Sequence, residues 1–152
     1  MSIPILTACA GFLLAVLWMD LMFDSQAGLR GADPGESVVA SIAAYYRRAT
    51  TTSQPMGTVI AVVMGVLLVC LGIEAWRGEH PNWVLIASAV LAAGPILLAL
   101  LRTVPGAVRL GRRCDTPAEQ SRLARAIYRD HILCLAGMAA FLLLWLAVVL
   151  TS

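Results

Sequence analysis

The chain has 152 residues and a formal net charge of +2; 60% of its residues are hydrophobic and only 13% are charged. A soluble domain has roughly 45–50% apolar and 25% charged residues. The composition and the mean hydropathy of +0.83 exclude an ordinary water-soluble fold, because a chain of this length could not bury so much apolar surface. They indicate an integral membrane protein.

Four apolar segments are each long enough to cross a bilayer. A spanning helix needs about 20 predominantly apolar residues for ~30 Å of hydrocarbon, and the segments fall at residues 3–23, 56–76, 83–101 and 132–150. Backbone polar groups in lipid must be satisfied within each segment, and these runs lack the alternation of barrel strands. We therefore predict an all-α integral membrane protein in which residues 1–152 form one domain, a bundle of four transmembrane helices.

The first segment is expected to remain as a membrane span. No basic residue precedes it and its apolar run continues well past Cys9, which differs from an export signal.

Arginine is distributed unevenly among the three connections between spans. All eleven basic residues are Arg, and only Arg77 lies in the short middle connection. Under the positive-inside rule, this asymmetry predicts a multi-pass protein of a bacterial inner membrane, with the two long connections in the cytoplasm and both termini outside. The first connection contains Arg30, Arg47 and Arg48, and the third contains Arg102, Arg109, Arg112, Arg113, Arg122, Arg125 and Arg129.

Each long connection is predicted to contain a helix. Residues 34–49 have apolar side chains at helical spacing, typical of an amphipathic helix in the headgroup layer or across the inner end of the bundle. Residues 117–131 reach the fourth span without a helix breaker. They should extend helix four into the cytoplasm, giving one helix of about 50 Å.

The two cytoplasmic helices have a weak sequence similarity. Aligning Pro34 with Pro117 also aligns Tyr45 with Tyr128. Two interpretations stay open: coincidence, or two tandem hairpin repeats related by an axis along the membrane normal.

Four titratable residues are predicted at the inner edge of the bundle: Asp20, Asp24, Asp130 and His131. Carboxylates this deep normally face protein, water or a partner rather than lipid. In one interpretation Asp20 and Asp24 pair with loop arginines and end their helix. In the other the four residues converge as a polar site for a metal ion or for proton transfer, and a metal is the one cofactor that this set suggests.

Six arginines of the third connection form a second candidate site. They would contact anionic lipid headgroups, at about 1 kcal/mol each near the surface, or line a site for an anionic ligand, since guanidinium groups bind phosphate and carboxylate bidentately. No nucleic-acid module appears, and lipid is the closer anion. The six are Arg109, Arg112, Arg113, Arg122, Arg125 and Arg129.

The spans themselves contain few functional signals. Gly94 and Pro95 predict a kink in helix three, which would serve packing or line a cavity. No Asp, Glu, Arg or His lies at mid-membrane, which argues against a proton relay within this chain. At the outer end we expect a solvated turn around Glu74 and His80, with Cys9 and Cys70 nearby as buried thiols or a disulfide.

Function is indicated only by class. Extensive apolar faces without central ionisable groups favour a non-enzymatic protein that acts by binding, as an accessory or assembly subunit of a larger membrane complex or as an oligomeric carrier of an apolar or amphipathic ligand. One alternative is a membrane-embedded enzyme using the inner carboxylate and histidine site. Another is an oligomeric channel or transporter for a small solute. The expected partners are membrane lipids, including anionic headgroups, and further copies of the chain or subunits of a complex.

Overall fold

The fold is entirely helical among the residues that can be described. The computed structural model describes residues 2–28, 34–52 and 54–151, and it is 93% helical without strands in those ranges. The all-α prediction is confirmed. Arg30, counted above in the first connection, lies outside the described residues.

The described residues form six α-helices and two π-helical turns. In chain order they are α1 (Ser2–Gly28), α2 (Glu36–Arg47), a π-helical turn (Arg48–Thr52), α3 (Gln54–Arg77), α4 (Asn82–Leu98), a second π-helical turn (Ala99–Thr103), α5 (Val104–Arg112) and α6 (Pro117–Thr151).

Four helical segments are long and apolar enough to cross a membrane. They are Ser2–Gly28, Pro55–Arg77, Asn82–Arg112 and Pro117–Leu150. The four predicted segments each fall within one of them. Their ends follow from local sequence signals: Gly78 adopts a φ of 67° directly after α3, a conformation that favours glycine, and Thr116 Oγ1 accepts a hydrogen bond from the backbone N–H of Glu119 at the start of α6.

The third span is longer than its apolar run suggested. We expected it to end near residue 101, but the helix continues through the π-helical turn and α5 to Arg112. Pro105 does not end the helix: it is the second residue of α5 and follows directly on the wider π-helical turn. Arg113, with a φ of 57°, ends α5, so only a short connection remains before α6.

Pro95 lies inside α4, which has no break at that position. Its ring packs on Gly137 of α6: a Cβ added at Gly137 would lie 2.7 Å from Cγ of Pro95 and 3.3 Å from the carbonyl oxygen of Leu91. Pro95 therefore marks a close approach between α4 and α6, whereas Gly94 faces open space. The departure from regular α-helix comes four residues later, in the Ala99–Thr103 turn.

Two apolar cores hold the helices together. In the larger one, α6 packs on α1 and α4, and α1 also packs on α3; its largest buried side chains are Phe141 and Trp145. The smaller core lies at the end of the bundle that we predict to be cytoplasmic. There Ile42 of α2, Leu110 of α5 and Ile127 of α6 are buried together, so α2 covers this end of the bundle.

Candidate functional site

The inner polar cluster is built from α1, α2 and α6. Asp20 and Asp24 are one turn apart on α1, and Tyr45 and Tyr46 lie near the end of α2, which packs across that helix. His131 comes from α6. We call these five residues the inner cluster.

Asp24 is the most enclosed member of the inner cluster. Its side chain is 0% exposed, and the Tyr46 hydroxyl donates to its two oxygens at 2.7 and 2.8 Å. Nδ1 of His131 lies 2.6 Å from Oδ2 of Asp24. This contact fixes the orientation of the imidazole ring, and in the tautomer with Nδ1 protonated the ring donates to the carboxylate.

Asp20 is only partly satisfied by the protein. The Tyr45 hydroxyl donates to its Oδ1 at 2.6 Å, and the Tyr45 ring stacks on Phe23 with centroids 4.1 Å apart. The other oxygen, Oδ2, lies 3.8 Å from Nε2 of His131, beyond direct hydrogen-bond distance. Asp20 and His131 both line a cavity.

The cavity lies between α3 and α5, which do not contact each other within the described residues. It has a volume of about 300 Å³, within the range of small-molecule sites. A smaller cavity of about 120 Å³ continues toward α4 and shares Asp20, Thr103 and His131 with it. The apolar wall of the larger cavity consists of Val16, Met56, Gly57, Ile60, Ala61, Met64, Leu100, Val104, Ala107 and Val108.

Both π-helical turns border the larger cavity. Ala49 and Thr50 of the first turn line it, as do Leu100 and Thr103 of the second. Wide turns of this kind are frequent at functional sites. The local sequence signal for the first turn is weak: a run of threonines at Thr50–Thr52 followed by Pro55.

Asp130 does not join the other three predicted site residues. It is buried on the side facing the second π-helical turn, where its Oδ2 lies 3.3 Å from Nε of Arg102 and 3.5 Å from the Thr103 hydroxyl. Its neighbour His131 points in a different direction, because successive helix positions are about 100° apart. The structure thus brings together Asp20, Asp24 and His131 and pairs Asp130 with Arg102 of the second π-helical turn.

The described residues contain no group of three or more His, Cys, Asp or Glu side chains arranged to hold a metal ion. The geometry explains this for the inner cluster: Tyr46 and His131 occupy the oxygens of Asp24, and Asp24 holds Nδ1 of His131. The oxygens of Asp24 and Nδ1 of His131 are therefore engaged with one another, and this arrangement does not support the metal version of the predicted site.

The six predicted arginines divide into two groups. Arg109 forms two-pronged hydrogen bonds with Asp115 at 2.6 to 3.0 Å, and Arg113 pairs with Glu36. Arg112 is exposed at the end of α5. The other three, Arg122, Arg125 and Arg129, border a separate surface groove on α6.

A second polar cluster lies at the opposite end of the bundle. The expectation of a solvated turn is wrong for Glu74, which is buried with 1% of its side chain exposed, although it pairs with the exposed Arg77 at 3.5 Å. Ser2 donates to one Glu74 oxygen, and Nε2 of His80 lies 3.2 Å from the other. Cys9 and Cys70 are both buried and are free thiols, so they do not form a disulfide.

Comparisons of this chain with protein-family profiles, curated proteins and solved structures find no match.

Proposed function

We propose that this protein binds an amphipathic ligand in the cavity between α3 and α5, with the ligand's polar group at the inner cluster. One observation carries the proposal: a largely apolar cavity of about 300 Å³ is lined by Asp20 and His131, whose nearest side-chain atoms are 3.8 Å apart. Apolar walls with a few convergent polar groups are typical of ligand sites.

The charges of the lining indicate the chemical class of the ligand. The described residues that line the two cavities include Asp20 and His131 but no arginine. A ligand with an anionic head group would therefore meet a carboxylate without a compensating guanidinium. A hydroxyl group beside the two residues would donate to Oδ2 of Asp20 and, when His131 is an imidazolium, accept a hydrogen bond from its Nε2. A protonated amine would pair with Asp20. We therefore favour an alcohol or amine head over a carboxylate or phosphate.

A series of matched probes tests this assignment. Decanol, decylamine and decanoate have the same chain length and differ in the charge of the head. We expect decanol and decylamine to raise the thermal midpoint of the detergent-purified protein, and decanoate to have little effect. Stabilisation by decanoate alone would contradict the proposal.

A cavity-filling variant separates binding from general detergent effects. Gly57 of α3 lines the cavity, and a Cβ there would meet nothing within 4 Å. Gly57→Leu should therefore occupy the cavity and remove the response to decanol. Gly65→Leu is the matched control: it lies two turns along the same helix, is equally unobstructed and does not line the cavity. Equal responses in the two variants would contradict the proposal.

Exposed apolar side chains on α3 provide a surface for a larger assembly. Trp76 and Val69 of α3 are 88% and 63% exposed, which leaves apolar surface for lipid or for a partner helix. We propose that the protein works as an oligomer or as an accessory subunit that presents the bound ligand. Recovery from mild detergent as a lone, ligand-free monomer would contradict this role.

Acid–base catalysis on the bound ligand is a second candidate function. It is favoured by the hydrogen bond between Asp24 and Nδ1 of His131 at 2.6 Å, which leaves Nε2 as the nitrogen able to exchange a proton. Incubating a membrane lipid extract with wild type and with His131→Gln, followed by mass spectrometry, tests it. A product formed only by the wild type would support an enzyme, and identical extracts would reject one.

A further inference from the structure

The surface groove on α6 has a strongly basic lining. Its volume is about 330 Å³, and it is bordered by Arg122, Arg125, Tyr128 and Arg129 of α6 and by Gly28 at the end of α1. The described lining contains three guanidinium groups and no carboxylate. The arginines recur at i, i+3 and i+7 and so share one helix face.

Close packing between α1 and α6 fixes the centre of this groove. The ring of Tyr128 lies against Gly28 so closely that a Cβ at Gly28 would overlap it. Glycine at the end of α1 therefore lets the tyrosine lie between the two helices. Arg122, which precedes Tyr128 in the sequence, and Arg129, which follows it, are both exposed.

An apolar cleft continues from the same tyrosine along the α1–α6 surface. Tyr128 also borders this second space, which has a volume of about 260 Å³. Trp18 and Met22, which line it, are 63% and 62% exposed, and Ile132 is 42% exposed. The basic groove lies toward the predicted cytoplasmic end and the apolar cleft toward the predicted membrane interior. No described residue of either space lines the cavity between α3 and α5.

We infer that the groove and the cleft together form a binding site for one anionic glycerophospholipid. Its phosphate lies against Arg122 and Arg129, and part of an acyl chain lies along Trp18, Met22 and Ile132. Guanidinium groups match phosphate geometry, basic residues near the surface attract anionic lipid, and aromatic side chains prefer the headgroup level. The site is separate from the proposed ligand cavity.

Native mass spectrometry of the detergent-purified protein tests this site. With phosphatidylglycerol added, we expect one retained lipid per chain, and with phosphatidylcholine we expect at least about tenfold less retention. Arg122→Gln combined with Arg129→Gln should reduce phosphatidylglycerol retention by about tenfold or more. Arg48→Gln is the control: Arg48 is exposed and lies outside the groove, so its substitution should leave retention unchanged.

Two further measurements distinguish a lipid from a free phosphate. Met22→Trp, which fills the apolar cleft without changing charge, should lower lipid retention severalfold. Inorganic phosphate at millimolar concentration should not displace the lipid or raise the thermal midpoint. Stabilisation by phosphate alone, equal retention of the two lipids, or unchanged retention in Met22→Trp would each overturn the lipid site. Circular dichroism confirms that each variant remains helical.

Discussion

At the residue scale, the inner cluster depends on two tyrosines with different surroundings. Tyr46 is buried and donates to a fully buried carboxylate, Asp24, whereas Tyr45 is half-buried and donates to Asp20, which also borders the cavity. A hydrogen bond to a buried charged group is worth more than one to a group that a ligand or water can also reach. The two phenols should therefore differ in their contribution to stability.

Tyr46→Phe should destabilise the protein by about 1.5–3 kcal/mol, because it leaves a buried carboxylate with one donor fewer. Tyr45→Phe keeps the stacking on Phe23 and should cost about 1 kcal/mol or less. Unfolding in a mixed-micelle denaturant titration measures both. A larger loss for Tyr45→Phe would contradict the assigned burial.

The same two hydroxyls predict a response to alkaline pH. Burial, reinforced by the nearby Asp20 and Asp24 carboxylates, raises the pKa of Tyr45 and of Tyr46 well above the ordinary value, which is about 10. A folded pKa above the unfolded one means that the neutral phenols stabilise the fold fully below pH ~10, and that this contribution is lost as pH rises toward the folded pKa values.

We therefore expect the thermal midpoint of the wild type to fall between pH ~9 and ~11 more steeply than that of the Tyr45→Phe, Tyr46→Phe double variant. Both proteins share every other titrating group, so the difference in slope reports the two phenols. Equal slopes would show that these hydroxyls ionise normally in the folded protein.

At the scale of elements, the contact between α4 and α6 is set by a missing side chain. Gly137 allows the Pro95 ring and the Leu91 carbonyl to approach α6 directly. An added methyl group would lie 2.7 Å from Cγ of Pro95, and a rigid proline ring on a helix cannot rotate away. The neighbouring Gly94 has open space around it.

Gly137→Ala should destabilise the protein by about 1–3 kcal/mol through overpacking. Gly94→Ala, the same substitution close to Pro95, should be neutral or slightly stabilising. Thermal unfolding in detergent compares them. If both variants unfold at the wild-type temperature, the close packing of α4 on α6 is not as described.

At the scale of the whole molecule, the burial of the cysteines provides a test of orientation. Cys9, Cys70 and Cys134 are buried, whereas Cys114 is exposed in the connection between α5 and α6. A membrane-impermeant maleimide should therefore label about one thiol per chain, from the side on which that connection lies. The arginine asymmetry predicts that this side is the cytoplasm.

We expect no labelling in intact cells, one label after permeabilisation, and none in Cys114→Ser under either condition. The result is read by the mass shift of the purified protein. Labelling of Cys114 in intact cells would reverse the predicted orientation, whereas several labels per chain would contradict the described packing.

The sequence by itself determined the all-helical fold and the number of segments able to cross a membrane. Both follow from local properties: the length of each apolar run, and the rule that backbone groups in lipid must be paired within the segment. The start of α6 at Pro117 could also be predicted from the sequence, because capping and proline signals act over a few residues. Orientation stays a prediction from the arginine count.

Only the tertiary structure decided which polar residues meet. Asp20, Asp24 and His131 are brought together because α2 folds under the bundle and places two tyrosines against α1, a long-range contact without a local signal. Asp130 separates from His131 because adjacent helix positions face different neighbours. The cavity arises where α3 and α5 diverge, and the basic groove arises where Tyr128 packs on Gly28. Such spaces depend on how helices cross, which the order of residues along one helix does not specify.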